Sequence, residues 1–237
     1  MFRILAAAFL VMLSASSPAL AEGKRVALIL GIGEYQHLSS LTNPVRDAKA
    51  IATELRDHGF EVSEHYNLDR ADLLDALETF KRQAQDAEVA LVYYAGHGVE
   101  AGGENYIVPV DAASPEAGGV VTDLIPVSSM LAELQRKAPI AIVLLDACRD
   151  NPYPLGTLVA GSGGAAVPVS AAGLGASRGA ASLRNTGPET LGTVIGYAAE
   201  PGRAALDHQL KGAEVVAVFQ RDAAGYGKFH EHALGPC

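Results

Sequence analysis

Two short runs carry the residues able to do covalent chemistry: Tyr93-Tyr94-Ala95-Gly96-His97-Gly98 and Leu145-Asp146-Ala147-Cys148-Arg149-Asp150. A thiol becomes a useful nucleophile near neutral pH when a base takes its proton, and histidine is suited to that task. Each run follows an apolar stretch, 89–92 before the histidine and 140–144 before the cysteine, that reads as a buried parallel strand. Ligand sites in an open parallel sheet lie beyond the carboxyl ends of the strands. Strands ending at Ala95 and Asp146 therefore deliver both side chains to one edge. The pattern is a candidate Cys/His dyad.

The surrounding elements fit such a sheet. Arg25 to Gly31 predicts a first buried strand, followed by a helix with Asn43 as N-cap and Pro44 at its first position. Ala48, Ile51, Ala52 and Leu55 give that helix its apolar stripe, and Gly59 ends it. A strand over 60–66 leads to a second helix capped by Asp69, with Leu73, Leu74, Leu77, Phe80 and Ala84 at helical spacing. A short hairpin segment is expected over 104–110, a helix around 127–136 and a strand over 138–146. This alternation predicts an α/β fold, a three-layer αβα sandwich around a mostly parallel sheet. From Gly156 to Gly187 the chain is dominated by Gly, Ala and Ser, and reads as a mobile linker or processing loop. One more strand is expected over 191–199 and a weak last one over 215–219.

Residues 1–21 are set apart from the fold. Arg3, the apolar run from Ile4 to Ser14 and the small-x-small site Ala19-Leu20-Ala21 read as a secretory signal peptide cleaved after Ala21. An uncleaved membrane anchor is the alternative for this stretch. The mature chain is expected to be exported, periplasmic or secreted, without further membrane attachment. A formal net charge of −9 with no cluster of Lys and Arg argues against a nucleic-acid binder. Two cysteines outside the cytosol raise the possibility of a disulfide. Pairing Cys148 at a strand end with the terminal residue Cys237 is the weaker reading, and a free working thiol is preferred.

The residues around the dyad resemble a known family. Ala147-Cys148-Arg149 with a histidine about fifty residues upstream is similar to the local signature of caspases. The Gly-His-Gly loop, the opening Val-Ala-Leu-Ile-Leu-Gly-Ile-Gly-Glu-Tyr and Asp146 to Pro152 look like bacterial metacaspase-like peptidases. The resemblance covers 25 to about 155 well and 191–207 loosely. It implies a caspase–haemoglobinase-like fold and a cysteine endopeptidase in which Cys148 is the nucleophile and His97 the general base and acid. It also implies an oxyanion hole built from the backbone N–H groups of Gly98 and Cys148.

Substrate choice follows from charge. Asp146 stands two residues before the nucleophile, where caspases that cut after Asp carry a neutral Gln. A carboxylate there repels acidic side chains and attracts Arg or Lys. The resemblance to metacaspases adds Asp47 as a second pocket carboxylate; its bland alternative is an exposed first-turn residue favoured by the helix dipole. The expected partner is a protein or peptide with basic residues, and the chain is read as a monomer. Tyr35, His37, His65, His230 and His232 read as ordinary core or surface residues, and Arg149 and Asp150 as loop-shaping. No metal or cofactor is expected in catalysis, although some relatives need calcium and no motif places such a site here. Arg178 and Arg184 are candidate self-cleavage points. Beyond Asp207 the family's usual continuation is not recognisable. A second reading therefore stays open: an interaction or regulatory module with this fold and little peptidase activity. A thiol redox protein lacks a Cys-x-x-Cys and carries little weight.

Overall fold

The computed structural model describes residues 23–148, 151–161, 164–171, 192–197, 220–221 and 227–228. Strand β1 (Arg25–Gly31) is followed by helix α1 (Pro44–Asp57), strand β2 (Glu61–Tyr66) and helix α2 (Arg70–Gln83). Strand β3 (Val89–Ala101) turns back into β4 (Glu104–Ile107), and the short strands β5 (Val120–Val121) and β6 (Ile125–Pro126) precede helix α3 (Val127–Gln135). Strand β7 (Ile140–Cys148) leads to β8 (Leu158–Ala160), β9 (Ala166–Pro168) and β10 (Gly192–Tyr197), with a small pair β11 (Gln220–Arg221) and β12 (Gly227–Lys228) beyond.

Five of these strands pair in parallel in the order β10-β7-β3-β1-β2. β4 extends the sheet antiparallel along the far half of β3, and β6 pairs with β4. Parallel strands with both faces covered are apolar in every position, as Val26 to Leu30 are. Ala27 and Ile29 pack with Ala48, Ile51 and Ala52 of α1 on one face. Val26, Leu28 and Leu30 pack with Leu73, Leu77 and Phe80 of α2, and Met130 and Leu134 of α3, on the other. The predicted three-layer αβα sandwich is the observed one.

Local chemistry explains most boundaries. Asp69 accepts a hydrogen bond from the Asp72 N–H at 2.9 Å and opens α2 as expected. Gly59 takes the left-handed conformation that ends α1 (φ 77°). Asn43 departs from its expected role: its backbone is already helical (φ −95°, ψ −34°) and its side chain caps nothing. Pro44 alone supplies the N-terminal signal, its missing N–H being one that has no partner in a first turn anyway.

Two expectations are corrected. The strands do not stop at Ala95 and Asp146; β3 and β7 run on through His97 and Cys148, because β4 and the register with each other keep the backbone paired. Nor is the whole 156–190 stretch a featureless linker. β8 pairs with β5 and β9, Val159 is buried, and the Ser170 N–H donates to the Glu100 carbonyl at 2.7 Å. Arg178 and Arg184, and the strand expected over 215–219, lie outside the described residues. So do the expected signal peptide and His230 and His232.

Candidate active site

His97 and Cys148 are register partners in the adjacent parallel strands β3 and β7. Residues two behind them pair in the same way, Ala95 with Asp146. The sheet thus brings the two backbones side by side at this point.

The histidine is held from four directions. The residue is 4% exposed, and its imidazole lies against the ring of Tyr35 with centroids 4.5 Å apart. Nε2 is 2.8 Å from the Ser39 carbonyl oxygen. A carbonyl only accepts, so Nε2 carries the proton and Nδ1 keeps the lone pair of the neutral ring. Nδ1 is buried and has no hydrogen-bond partner among the described residues. Burial holds the ring's pKa below its ordinary value by disfavouring the cation, and the Ser39 carbonyl partly opposes that.

Two tyrosine hydroxyls grip the histidine's backbone. The His97 N–H donates to Tyr35 Oη at 2.7 Å, and Tyr94 Oη donates to the His97 carbonyl at 2.6 Å. Tyr94 Oη also accepts from the Val108 N–H at 3.3 Å, tying β3 to the end of β4. These bonds stand where the strand changes its habit. Up to Ala95 the odd positions face α1, but Val99 and Ala101 belong to the opposite cluster. Gly96 sits at the change, and a Cβ there would come within 2.6 Å of Tyr94 Oη and 2.7 Å of Tyr35 Oη. Only glycine leaves room for both hydroxyls.

Ser39 arrives on a loop that closes on itself. The Leu41 N–H donates to the Gly33 carbonyl at 2.8 Å, and Asn67 Oδ1 accepts from the N–H groups of Gly33 and Glu34. The Gln36 N–H donates to Val110 O, tying the same loop to the chain beyond β4.

The two candidate carboxylates differ in setting. Asp146 is partly buried and accepts from Tyr93 Oη at 2.8 Å. Asp47 lies in the first turn of α1, 27% exposed, and pairs with the adjacent Arg46 at 3.2 Å. Exposed pairs of this kind contribute about 0–1 kcal/mol, so Arg46 does not lock Asp47 away. The next residue, Ala48, packs in the same cluster as Tyr93 and Ala95, which sets Asp47 on the helix that covers the Asp146 face. Gly98 lies in β3 opposite Ile107. Among the described residues, no group of three or more His, Cys, Asp or Glu could hold a metal ion.

A family model for the caspase domain of peptidase family C14 matches residues 24–231. The chain belongs to the caspase-domain family. The match runs past Asp207, where the residues alone suggested that the likeness ends. Human mucosa-associated lymphoid tissue lymphoma translocation protein 1 is 31% identical over 131 residues, 54% of this chain and 16% of the human protein. Its mouse homologue is 31% identical over the same length, 54% of this chain and 15% of that protein. The chain thus matches only a small part of either relative's length. Among solved structures, a protein of Geobacter sulfurreducens is 19% identical with a TM-score of 0.42, covering 53% of this chain and 50% of its own. The Drosophila initiator caspase Dronc is 15% identical with a TM-score of 0.41, covering 56% and 53%.

Membership in this family makes a cysteine peptidase the general class of the chain. Three features of this caspase domain escape a reading of its residues one by one. Tyr35, taken there as a core residue, contacts the imidazole; Ser39 contributes only a backbone atom; and the adjacent Tyr93 and Tyr94 serve opposite faces of the sheet. The Tyr-Tyr pair stood in the motif, but nothing in its spacing says which hydroxyl goes where.

Proposed function

We propose that this chain is a cysteine endopeptidase that cuts after Arg or Lys. The observation that carries the proposal is the His97–Cys148 register together with the Nε2 bond to Ser39, which leaves Nδ1 as the base. Nδ1 takes the Cys148 thiol proton and the thiolate attacks the peptide carbonyl carbon. The N–H groups of Gly98 and Cys148 receive the oxyanion. As the intermediate collapses, the imidazolium gives its proton to the leaving amine and an acyl thioester remains. Nδ1 then takes a proton from water, the hydroxide attacks the thioester, and the proton returns to the departing sulfur.

Asp146, with Asp47 from α1, supplies the negative charge for the basic side chain at the cleavage point. A carboxylate favours a guanidinium or ammonium and disfavours an acidic group by the same Coulomb term. We also place the mature chain outside the cytosol, on the strength of Arg3, the apolar run and the Ala19-Leu20-Ala21 site. No helix among the described residues is long and apolar enough to cross a membrane.

The test is hydrolysis of fluorogenic Arg-, Lys- and Asp-ended peptides, with and without calcium, by the wild type and Cys148→Ala. Cleavage of the basic peptides that is lost in Cys148→Ala supports the proposal. Preference for the Asp peptide removes the assigned specificity. Absence of any Cys148-dependent cleavage leaves the interaction module as the better account.

A further inference from the structure

We infer that Tyr93 is the positioning residue of the specificity site, orienting the Asp146 carboxylate for a basic side chain. The inference rests on the proposed Arg or Lys specificity and names the residue that makes it work.

Tyr93 is 1% exposed, and its ring lies in the apolar cluster with Ile29, Ala48 and Ile142. A phenylalanine would fill that space equally well, so packing does not explain the hydroxyl. Tyr93 Oη instead reaches one step along the sheet: Tyr93 pairs with Leu144, and the hydroxyl bonds to Asp146, the partner of Ala95. At 2.8 Å this is an O–H donor on a carboxylate oxygen, a charge-assisted bond stronger than a neutral one.

The consequence is both geometric and electrostatic. The phenol grows from a rigid, close-packed ring, so it fixes Oδ2 in space and with it the plane of the carboxylate. The carboxylate then meets the incoming cation in one orientation, and the entropy of ordering Asp146 is lost before the substrate arrives. The donor is also neutral. A lysine or arginine in its place would orient Asp146 and add a countercharge, whereas tyrosine orients it without adding one.

Binding separates this role from folding and from turnover. In the Cys148→Ala background, affinities are measured by titration calorimetry for two peptides that differ only in Arg or its neutral isostere citrulline at the cleavage position. Tyr93→Phe should weaken the Arg peptide about tenfold, the scale of one hydrogen bond to a charged group, and change the citrulline peptide by less than about twofold. Asp146→Asn should bring the two peptides to the same affinity. If Asp146→Asn abolishes the difference but Tyr93→Phe changes neither peptide, or weakens both alike, Tyr93 does not position the carboxylate and the inference falls alone. If Asp146→Asn leaves the preference for Arg intact, or the Arg peptide binds no better than citrulline to the parent, the assigned specificity falls and the inference with it. In the active enzyme the corresponding signature is a KM for Arg substrates raised by about tenfold with kcat altered less than about threefold.

Discussion

The Nε2 nitrogen of His97 and the carbonyl oxygen of Ser39 lie 2.8 Å apart, and this one contact decides which ring nitrogen is free to act as a base. In the proposed mechanism the neutral ring is the working form, and burial favours it. The acid limb of kcat/KM should therefore lie below histidine's ordinary pKa of about 6.5. A pH–rate profile on an Arg substrate reads it directly, and a limb at or above about pH 7 would contradict the assignment. Stability carries the same sign. The unfolded histidine takes up its proton at a higher pH than the folded one, so this contribution is lost as pH falls through the folded pKa.

The tyrosine clamp predicts a coupled pair. Tyr35→Phe removes the acceptor for the His97 N–H, and Tyr94→Phe removes the donor to its carbonyl. Tyr35→Phe should cost about 1–3 kcal/mol in urea unfolding, because the buried His97 N–H loses its acceptor; Tyr94→Phe should cost about 1 kcal/mol, because the His97 carbonyl keeps the Val108 N–H at 3.2 Å. Each should also lower kcat about tenfold by loosening the base. In a double-mutant cycle the two effects should couple by more than about 0.5 kcal/mol, since both act on one peptide unit.

Gly96→Ala is the severe case. The added methyl meets two buried tyrosine hydroxyls at 2.6 and 2.7 Å, so they or the strand must shift. We expect a loss of about 1–3 kcal/mol in stability from overpacking. Activity should fall at least about a hundredfold, because the histidine next in sequence moves with the strand. A variant with wild-type kcat would show that the hydroxyls yield without disturbing His97.

Asn67→Ala tests the loop at a distance from the chemistry. Its side-chain oxygen accepts from two N–H groups of the segment that presents Ser39. Losing it should cost about 1–3 kcal/mol and reduce kcat more than it raises KM. Hydrogen exchange at Gly33 and Glu34 should quicken in parallel.

The core has its own test. Phe80 is fully buried between α2 and the sheet, so Phe80→Ala should cost about 3–5 kcal/mol, read from denaturant midpoints at constant m.

Much of this molecule was legible from residue types and order. Apolar runs announced β1, β3 and β7, because strands covered on both faces have no polar side to hide. Asp69 and Gly59 marked helix ends through their own chemistry. The family signature pointed to His97 and Cys148 before any geometry was known. What stayed hidden depends on neighbours distant in sequence. Whether β3 stops at Ala95 or continues depends on β4 pairing with it, and no local propensity records that. The role of Tyr35 depends on a loop folding back over residue 97. Ser39 acts through a carbonyl that every residue possesses, so its identity carries no signal at all. The short strands β8 and β9 hid within a Gly- and Ala-rich stretch, because their pairing owes little to side-chain pattern.

The return of the chain from β7 to β3 has a consequence for how the molecule tolerates being cut. After Cys148 the chain passes through β8 and β9 and bonds to the far end of β3, with the isolated bridge Ala101–Val169 and the Ser170 bond to Glu100. Beyond Ala171 it reaches β10, whose six residues lie parallel along β7 from Ile140 to Leu145. A broken peptide bond anywhere from 172 to 191 would therefore part no two partners of the β3–β7 ladder. It would leave a larger piece holding both His97 and Cys148, and a smaller piece that, among the described residues, pairs with it along β7. In this topology, continuity of the chain and continuity of the sheet are separate properties, and the pairing of His97 with Cys148 depends on the second.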